Sequence, residues 1–377
     1  MIKHIPSLTP LRGIASIMVM MFHYNLRHPL LPEGYYLFSK FYLMVDLFFI
    51  LSGFIMIHVY STAFEGGNVL TKFFRFLQAR FARVYPLHLF TFLCLLLCVV
   101  LLKHNDRFPI FLDSIFSNKS IPLHLTLTQS WGFIYETTWN IPSWSISVEW
   151  FLYMVFPLLL FWYQRFDLQR IHHLISYVAG VGMIALIYYY LQPFWLELRS
   201  EAFDPANRNI DVTTTWIALA RGLSGFLIGM SMYYLYISGF LEKLLKYQMY
   251  FYLVVLLLLS LWLFNVLPDP LAIALFPLLI FSSIYSIGGH QKILNGRVFT
   301  FLGEISYSIY LVHSVLLLFN VFYLVSYQKS FFTGWFDETS LVYNWIGLLL
   351  YAFLTFVVSL GTYYGIEKPF RKILRPR

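Results

Sequence analysis

The sequence predicts an all-α integral membrane protein: a bundle of about ten transmembrane helices with both termini in the cytosol. Three observations lead there. The chain of 377 residues is 59% hydrophobic, 20% aromatic and only 12% charged. Soluble domains carry about 25% charged and 45–50% apolar residues. The apolar residues gather in ten runs of bilayer-spanning length, and Lys and Arg alternate sides between those runs. Composition alone excludes a disordered chain, a disulfide scaffold and an ordinary cytosolic enzyme.

A hydrocarbon core needs about 20 mostly apolar residues per helix. The runs fall at roughly 8–27, 42–62, 84–102, 147–164, 173–192, 214–236, 249–266, 268–288, 304–326 and 342–365. Only Leu-Pro-Asp-Pro at 267–270 parts the seventh from the eighth, a tight break. The first run has no small-residue cleavage site after it, so it reads as a retained span. With the N-terminus in the cytosol, the inner segments hold 17 of the 26 Lys and Arg residues, from Lys3 and Arg12 to Arg375 and Arg377. Glu197, Glu201, Asp204, Asp211, Asp269, Asp337 and Glu338 then fall outside. This is the positive-inside pattern; nine or eleven spans would break it. The net charge of +8 follows from this orientation and asks for membrane lipid rather than nucleic acid as a partner. Residues 1–377 read as a single transmembrane domain, with outer loops near 103–146 and 193–213. Cys94 and Cys98, one helical turn apart in an apolar run, read as core-packing residues.

Ionisable groups inside a span cost a few kcal/mol each and mark functional positions by default. The first span carries Arg12 and His23, the second Asp46 and His58, the fourth Glu149, the ninth Glu304 and His313. Arg12 and His23 are eleven residues apart, roughly 16 Å along a helix, so they mark two ends of one path. His23, Asp46 and Glu149 share the outer layer in this topology; His313 lies deeper. A histidine near carboxylates is a general-base candidate, since imidazole accepts a proton at neutral pH and a carboxylate steadies its charged form. The bland alternative is a buried histidine bonded to a neighbouring helix, and it is the better reading for His58 and His88. Arg80 and Arg83 are neighbours on one helix face at the cytosolic mouth. Guanidinium pairs there suit phosphate groups, and positive-inside anchors on anionic lipid would look the same. Trp131, Tyr135, Trp139 and Trp144 form either a sugar-stacking surface or an interfacial belt. The chain has no G-x-S-x-G elbow, Walker loop or H-E-x-x-H, and no cluster for a metal.

Six motifs in order, LRGIASIMVMMFH, VDLFFILSGFIM, RFARVYP, WSISVEWFLYMVFP, ISYSIYLVH and YYGIEKPFRK, resemble the acyltransferase family 3 membrane proteins of bacteria. The resemblance runs from Leu11 to Lys372. It implies a ten-helix inner-membrane enzyme that moves acyl groups, usually acetyl, onto hydroxyls of glycans such as O-antigen, exopolysaccharide or lipid-linked sugars, or onto small molecules such as macrolides. The implied donor is cytosolic acyl-CoA, a substrate rather than a resident cofactor. The family's basic residue, ten-residue gap and histidine correspond to Arg12 and His23, its arginine pair to Arg80 and Arg83, and its glutamate to Glu149. Asp46 matches its aspartate before FF. Some relatives carry an appended soluble esterase-like domain; none is expected here.

The resulting expectation is an O-acyltransferase with His23, Glu149 and Asp46 as catalytic residues, and Arg80, Arg83 and Arg12 holding acyl-CoA. Trp144, Trp139, His313 and Tyr310 are candidates for substrate contact, and Ser52 or Tyr310 for oxyanion contact. The rival classes are a polytopic exporter of a glycan or small molecule and a non-catalytic envelope subunit. The sequence shows no paired halves with matching Gly/Pro breaks, as an exporter built from repeats would have.

Overall fold

A computed structural model gives the fold. It describes residues 5–376 except 65, 106, 166–168, 199–207, 286 and 328–339. Lys3, Glu201, Asp204, Asp337, Glu338 and Arg377, used in the topology argument, lie outside the described residues.

The chain runs through α1 (Leu8–Asn25), a 3₁₀ segment (Phe38–Leu43), α2 (Met44–Tyr60), α3 (Val69–His104), short α4 (Ile121–Thr126) and α5 (Trp144–Arg165). Next come α6 (Gln169–Leu186), continued by a π turn into α7 (Gln192–Leu198), then α8 (Thr215–Ser238), α9 (Glu242–Leu245), α10 (Gln248–Leu263) and α11 (Asp269–Tyr285). Short α12 (Gly289–Leu294) and α13 (Arg297–Glu304) precede α14 (Ser306–Tyr327). Last, α15 (Leu341–Thr362) passes through a π turn (Tyr363–Glu367) into α16 (Lys368–Leu374). Among the described residues there is no β-strand beyond one isolated bridge between Tyr247 and Ile287.

Among the described residues, seven helical segments are long and apolar enough to cross a membrane: Phe38–Tyr60, Val69–His104, Ile141–Gln164, His173–Leu198, Thr215–Ser238, Ser306–Tyr323 and Leu341–Leu374. The other three expected spans are also helices. α10 and α11 are apolar but shorter, and α1 is diluted by Thr9, Arg12, His23 and Asn25. Boundaries differ from expectation in physical ways. α3 begins at Val69, where Asn68 caps the Thr71 N–H at 3.1 Å, rather than near residue 84. Its 36 residues extend about 54 Å, far beyond a ~30 Å hydrocarbon layer, so its polar first part projects out of the bundle. The ninth run is broken at Ile305 into α13 and α14.

Close backbone approach at small residues assembles the bundle. α2 and α8 form its axis. A Cβ on Gly229 would lie 1.9 Å from the Ile50 carbonyl oxygen, and one on Gly53 2.1 Å from that of Phe226. A second crossing matters for the site. Gly13 of α1 meets the backbone of Gly303 in α13 at 2.7 Å from the ideal Cβ position. It also brings the Thr9 backbone against Gly303, and Thr9, Arg12 and Glu304 all line one cavity.

Gly229→Ala is expected to overpack the α2–α8 axis, a change that costs about 1–3 kcal/mol. Gly182→Ala adds a methyl with nothing within 4 Å and should hold or raise stability. Apparent melting temperatures of the two purified variants check this; equal temperatures would refute the packing account.

Candidate functional site

A cavity of about 730 Å³ runs among α1, α2, α3, α5, α13, α14 and α16, within the range of ligand sites. Its mouth, beside α16, is cationic: Arg12, Arg80, Arg83, Lys368, Arg371 and Arg375 line it, with Glu304 the acid among them. Ser52, Glu149, Tyr153 and Tyr307 line the middle, and Phe48, Ser145, Ile146 and Tyr310 close the far end.

The two arginines of the α3 pair have different surroundings. Arg80 donates to the Tyr60 hydroxyl at 2.8 Å and lies over the rings of Tyr60 and Tyr153, a cation–π setting. Arg83 is ion-paired with Glu367, whose other oxygen accepts from the Ser308 hydroxyl at 2.8 Å. Glu149, one turn below its partner on α5, accepts from Tyr153 and from Ser52 at 3.4 Å. At the far end the Ser145 and Tyr310 hydroxyls lie 2.7 Å apart. Tyr310 also donates to the Pro142 carbonyl at 3.1 Å.

His23 and His313 form a pair. His313 Nε2 lies 3.2 Å from His23 Nδ1, with ring centroids 5.0 Å apart. His313 Nδ1 is 3.1 Å from the Ile309 carbonyl, and His23 Nδ1 is 3.0 Å from that of Val19. With both rings neutral, the carbonyls assign the protons to the two Nδ1 atoms. His313 Nε2 is then an acceptor for His23 Nδ1–H, and His23 Nε2 carries an open lone pair. The Tyr351 hydroxyl donates to the His313 carbonyl at 2.9 Å and steadies that turn. Neither ring is among the residues lining the cavity. Tyr310 stands between: it lines the cavity, and its ring centroid is 6.0 Å from that of His313 and 5.7 Å from that of Phe48.

The expected grouping of His23 with Asp46 and Glu149 is not the arrangement found. Among the described residues, the hydrogen-bonding partner of the His23 side chain besides Val19 is another imidazole. Asp46 is fully buried, and Arg221 grips it with two bonds, Nε at 3.0 Å and Nη2 at 2.8 Å. Arg221 also reaches Asp211 at 3.1 Å and sits over the Trp144 and Tyr42 rings. Beside it, Lys40 pairs with Asp269 at 3.0 Å, and Tyr42 donates to the same carboxylate. Asp269, counted from sequence as an outer-loop acid, is buried at the start of α11. Asp211 lies within electrostatic reach of His23, a neighbour the sequence did not suggest.

The aromatic candidates divide. Trp139 is wholly buried between Phe92 and Phe116, its indole N–H on the Ser120 hydroxyl at 3.0 Å. Trp144 is buried against Arg221 and Phe49. Both are core side chains, out of reach of a sugar at the surface; Tyr135 is the exposed member of the loop group. His88 donates to the His124 carbonyl at 2.9 Å, and His58 packs against Phe54, Tyr233 and Tyr236. No group of His, Cys, Asp or Glu among the described residues could hold a metal ion.

Sequence reasoning missed Ser145, Arg221 as the partner of Asp46, and Glu367 as the partner of Arg83. Arg221 carried a usable signal, being a lone cation in an apolar span. Ser145 carried none, since a serine in a Trp-Ser-Ile-Ser run looks like any helix start.

A bundle of apolar helices around a basic-mouthed cavity defines a multi-pass membrane protein. A family model described as "Acyltransferase domain", that of acyltransferase family 3, matches residues 5–364; the chain belongs to this family of membrane acyltransferases. It is similar to "Acyltransferase MdmB" of Streptomyces mycarofaciens, 30% identical over 190 residues, 48% of this chain and 45% of that protein. It is also similar to "Protein 2 in picA locus" of Rhizobium radiobacter, 53% identical over 47 residues, 12% of this chain and 24% of that protein. The chain thus spans less than half the length of either relative. No solved structure matches it.

Arg221→Leu should destabilise the protein by about 3–5 kcal/mol, because it strands Asp46 as a buried unpaired carboxylate. Adding Asp46→Leu should restore most of the loss. Thermal unfolding of the single and double variants reads this out. A double variant no more stable than the single would show that the pair is not the reason.

Proposed function

We propose that this protein is a membrane O-acyltransferase that carries an acyl group, most simply acetyl, from cytosolic acyl-CoA to a hydroxyl of a cell-envelope glycan at the opposite face. The observation that carries the reading is the cavity: its cationic mouth leads to the Ser145–Tyr310 hydroxyl pair, and Tyr310 neighbours His313, which is hydrogen-bonded to His23. In this reading all ten long helices cross the inner membrane, and both termini are cytosolic, as the positive-inside rule asks.

The donor's phosphates rest at the mouth, and its pantetheine arm runs up the cavity. Arg12 and His23 are eleven residues apart on α1, roughly 16 Å, a span such an arm covers. A shift of the Tyr310 ring opens the way to His23, while its hydroxyl leaves the Pro142 carbonyl for the thioester oxygen. The hydroxyls of Ser145 and Tyr310 take the carbonyl oxygen as it gains charge. His23 Nε2 removes the proton from the acceptor hydroxyl, and that oxygen bonds to the carbonyl carbon. The C–S bond breaks, and the thiolate takes the proton back from His23, leaving as free CoA. His313 Nε2 accepts the His23 Nδ1–H throughout and fixes the ring, the part a carboxylate plays in other general-base pairs. Glu149 holds Tyr153 and Ser52 and shapes the cavity's middle.

Acceptor-dependent thiol release from acetyl-CoA by the purified protein tests the reading and separates it from an exporter, which would release none. His23→Ala should lower that release by about 10²–10⁴-fold, the usual worth of a general base. His313→Ala should lower it by less, since it removes a positioning group. Near-normal release by His23→Ala, at matched protein levels, would overturn the assignment of the base.

A further inference from the structure

The last helix of the chain lies beside the cavity mouth and presents a cationic face to it. Lys368, Arg371 and Arg375 all line the cavity. Lys368 and Arg371, three residues apart, share one face of α16, and Arg375 follows in extended backbone immediately after the helix. Phe370 and Ile373, on other faces, are exposed and apolar, as in a helix lying at a membrane surface. Both ends of α16 are fastened. Glu367, immediately before it, is held by Arg83 and Ser308, and the Leu374 carbonyl accepts from the Gln78 side chain at 3.1 Å.

Three of the cavity's cations make no direct ion pair. Among the described residues, no carboxylate lies within ion-pair distance of Arg12, Arg371 or Arg375. Arg371 is within electrostatic reach of Arg83 and Arg80 as well as Glu367, and Arg12 of Arg83 as well as Glu149 and Glu367. Six Lys and Arg residues against Glu149 and Glu304 line the cavity. Lys368, Arg371 and Arg375 are exposed to solvent at the cavity mouth, so their excess positive charge attracts an incoming anion. Arg83 is already neutralised by Glu367, so its work is to hold α16 in place.

We propose that the cationic face of α16, Lys368 and Arg371, together with Arg375 just after the helix and with Arg12, is a seat for clustered phosphate groups, and that Arg83 and Glu367 are the strut that positions it. Guanidinium forks suit phosphate oxygens. This inference rests on the acyl-CoA reading above, under which the occupants are the donor's nucleotide phosphates. An anionic lipid head group offers the same chemistry.

The test uses the full-length protein in nanodiscs of zwitterionic lipid, with coenzyme A as the titrant. The double variant Arg371→Gln/Arg375→Gln should weaken coenzyme A binding by more than about tenfold, given the worth of charge-assisted hydrogen bonds, and raise the KM for acetyl-CoA in parallel. Lys372→Gln, exposed and off the cavity wall, should leave binding unchanged, and the melting temperature of each variant checks folding. Binding of coenzyme A by a folded double variant as tight as wild type overturns the seat while the donor reading stands. Equal weakening by Lys372→Gln would make the effect one of net charge and also overturns it. No binding by the wild type removes the donor reading and the seat together. Loss of co-purified phosphatidylglycerol in the double variant, with coenzyme A binding intact, assigns the face to lipid instead.

Discussion

A charge carried into a bilayer must find a partner or a wet cavity, because leaving it bare in hydrocarbon costs several kcal/mol. That constraint sorts the ionisable side chains of this bundle into two populations. Arg221 with Asp46, Lys40 with Asp269 and Arg83 with Glu367 are paired. They join α8 to α2, the 3₁₀ segment to α11, and α3 to the start of α16. Arg12, Glu149, Lys368, Arg371 and Arg375 instead face the cavity. The pairs hold helices in register, and the cavity residues are left for a ligand.

The glycine crossings make this arrangement possible. At Gly53 and Gly229 the α2 and α8 backbones meet without side chains between them. Arg221, one residue before Gly222 on α8, thereby reaches Asp46 on the first turn of α2 with both nitrogens. The Gly13–Gly303 crossing brings α1 against α13 beside the cavity mouth. Small residues and buried charges are thus one device: close helices shorten the reach between cation and anion, and a short, bidentate contact is what makes a desolvated pair tolerable.

Much of this was legible in the sequence. Apolar run length and charge alternation located every long helix, since hydrophobic periodicity and the cost of bare charge act locally. Some residues of the cavity were legible as well: Arg12 and Glu149 as charged groups in apolar runs, and Arg80 and Arg83 as neighbours on one helix face, while Tyr310 was one candidate among several. Pairings were not. Asp46 looked like a partner for His23 because both fall in one layer of the bundle, but depth fixes only one coordinate. Rotation about each helix axis sends Asp46 toward α8 and His23 toward α14. Trp139 and Trp144 read as surface aromatics because their loop is polar; the loop folds back, and both rings enter the core. The partnership of His313 with His23 spans 290 residues and leaves no mark in either local sequence.

The central claim is that a donor entering at the cationic mouth ends with its reactive carbon between the Ser145–Tyr310 hydroxyls and His23. Photo-crosslinking tests it most directly. An acyl-CoA carrying a diazirine in its acyl chain, irradiated with the full-length protein and mapped by mass spectrometry, should label Tyr310, Ser145, Phe48 or their immediate neighbours, and excess coenzyme A should suppress the labelling. Coenzyme A-sensitive labelling confined to the helix surfaces outside the cavity would contradict the account.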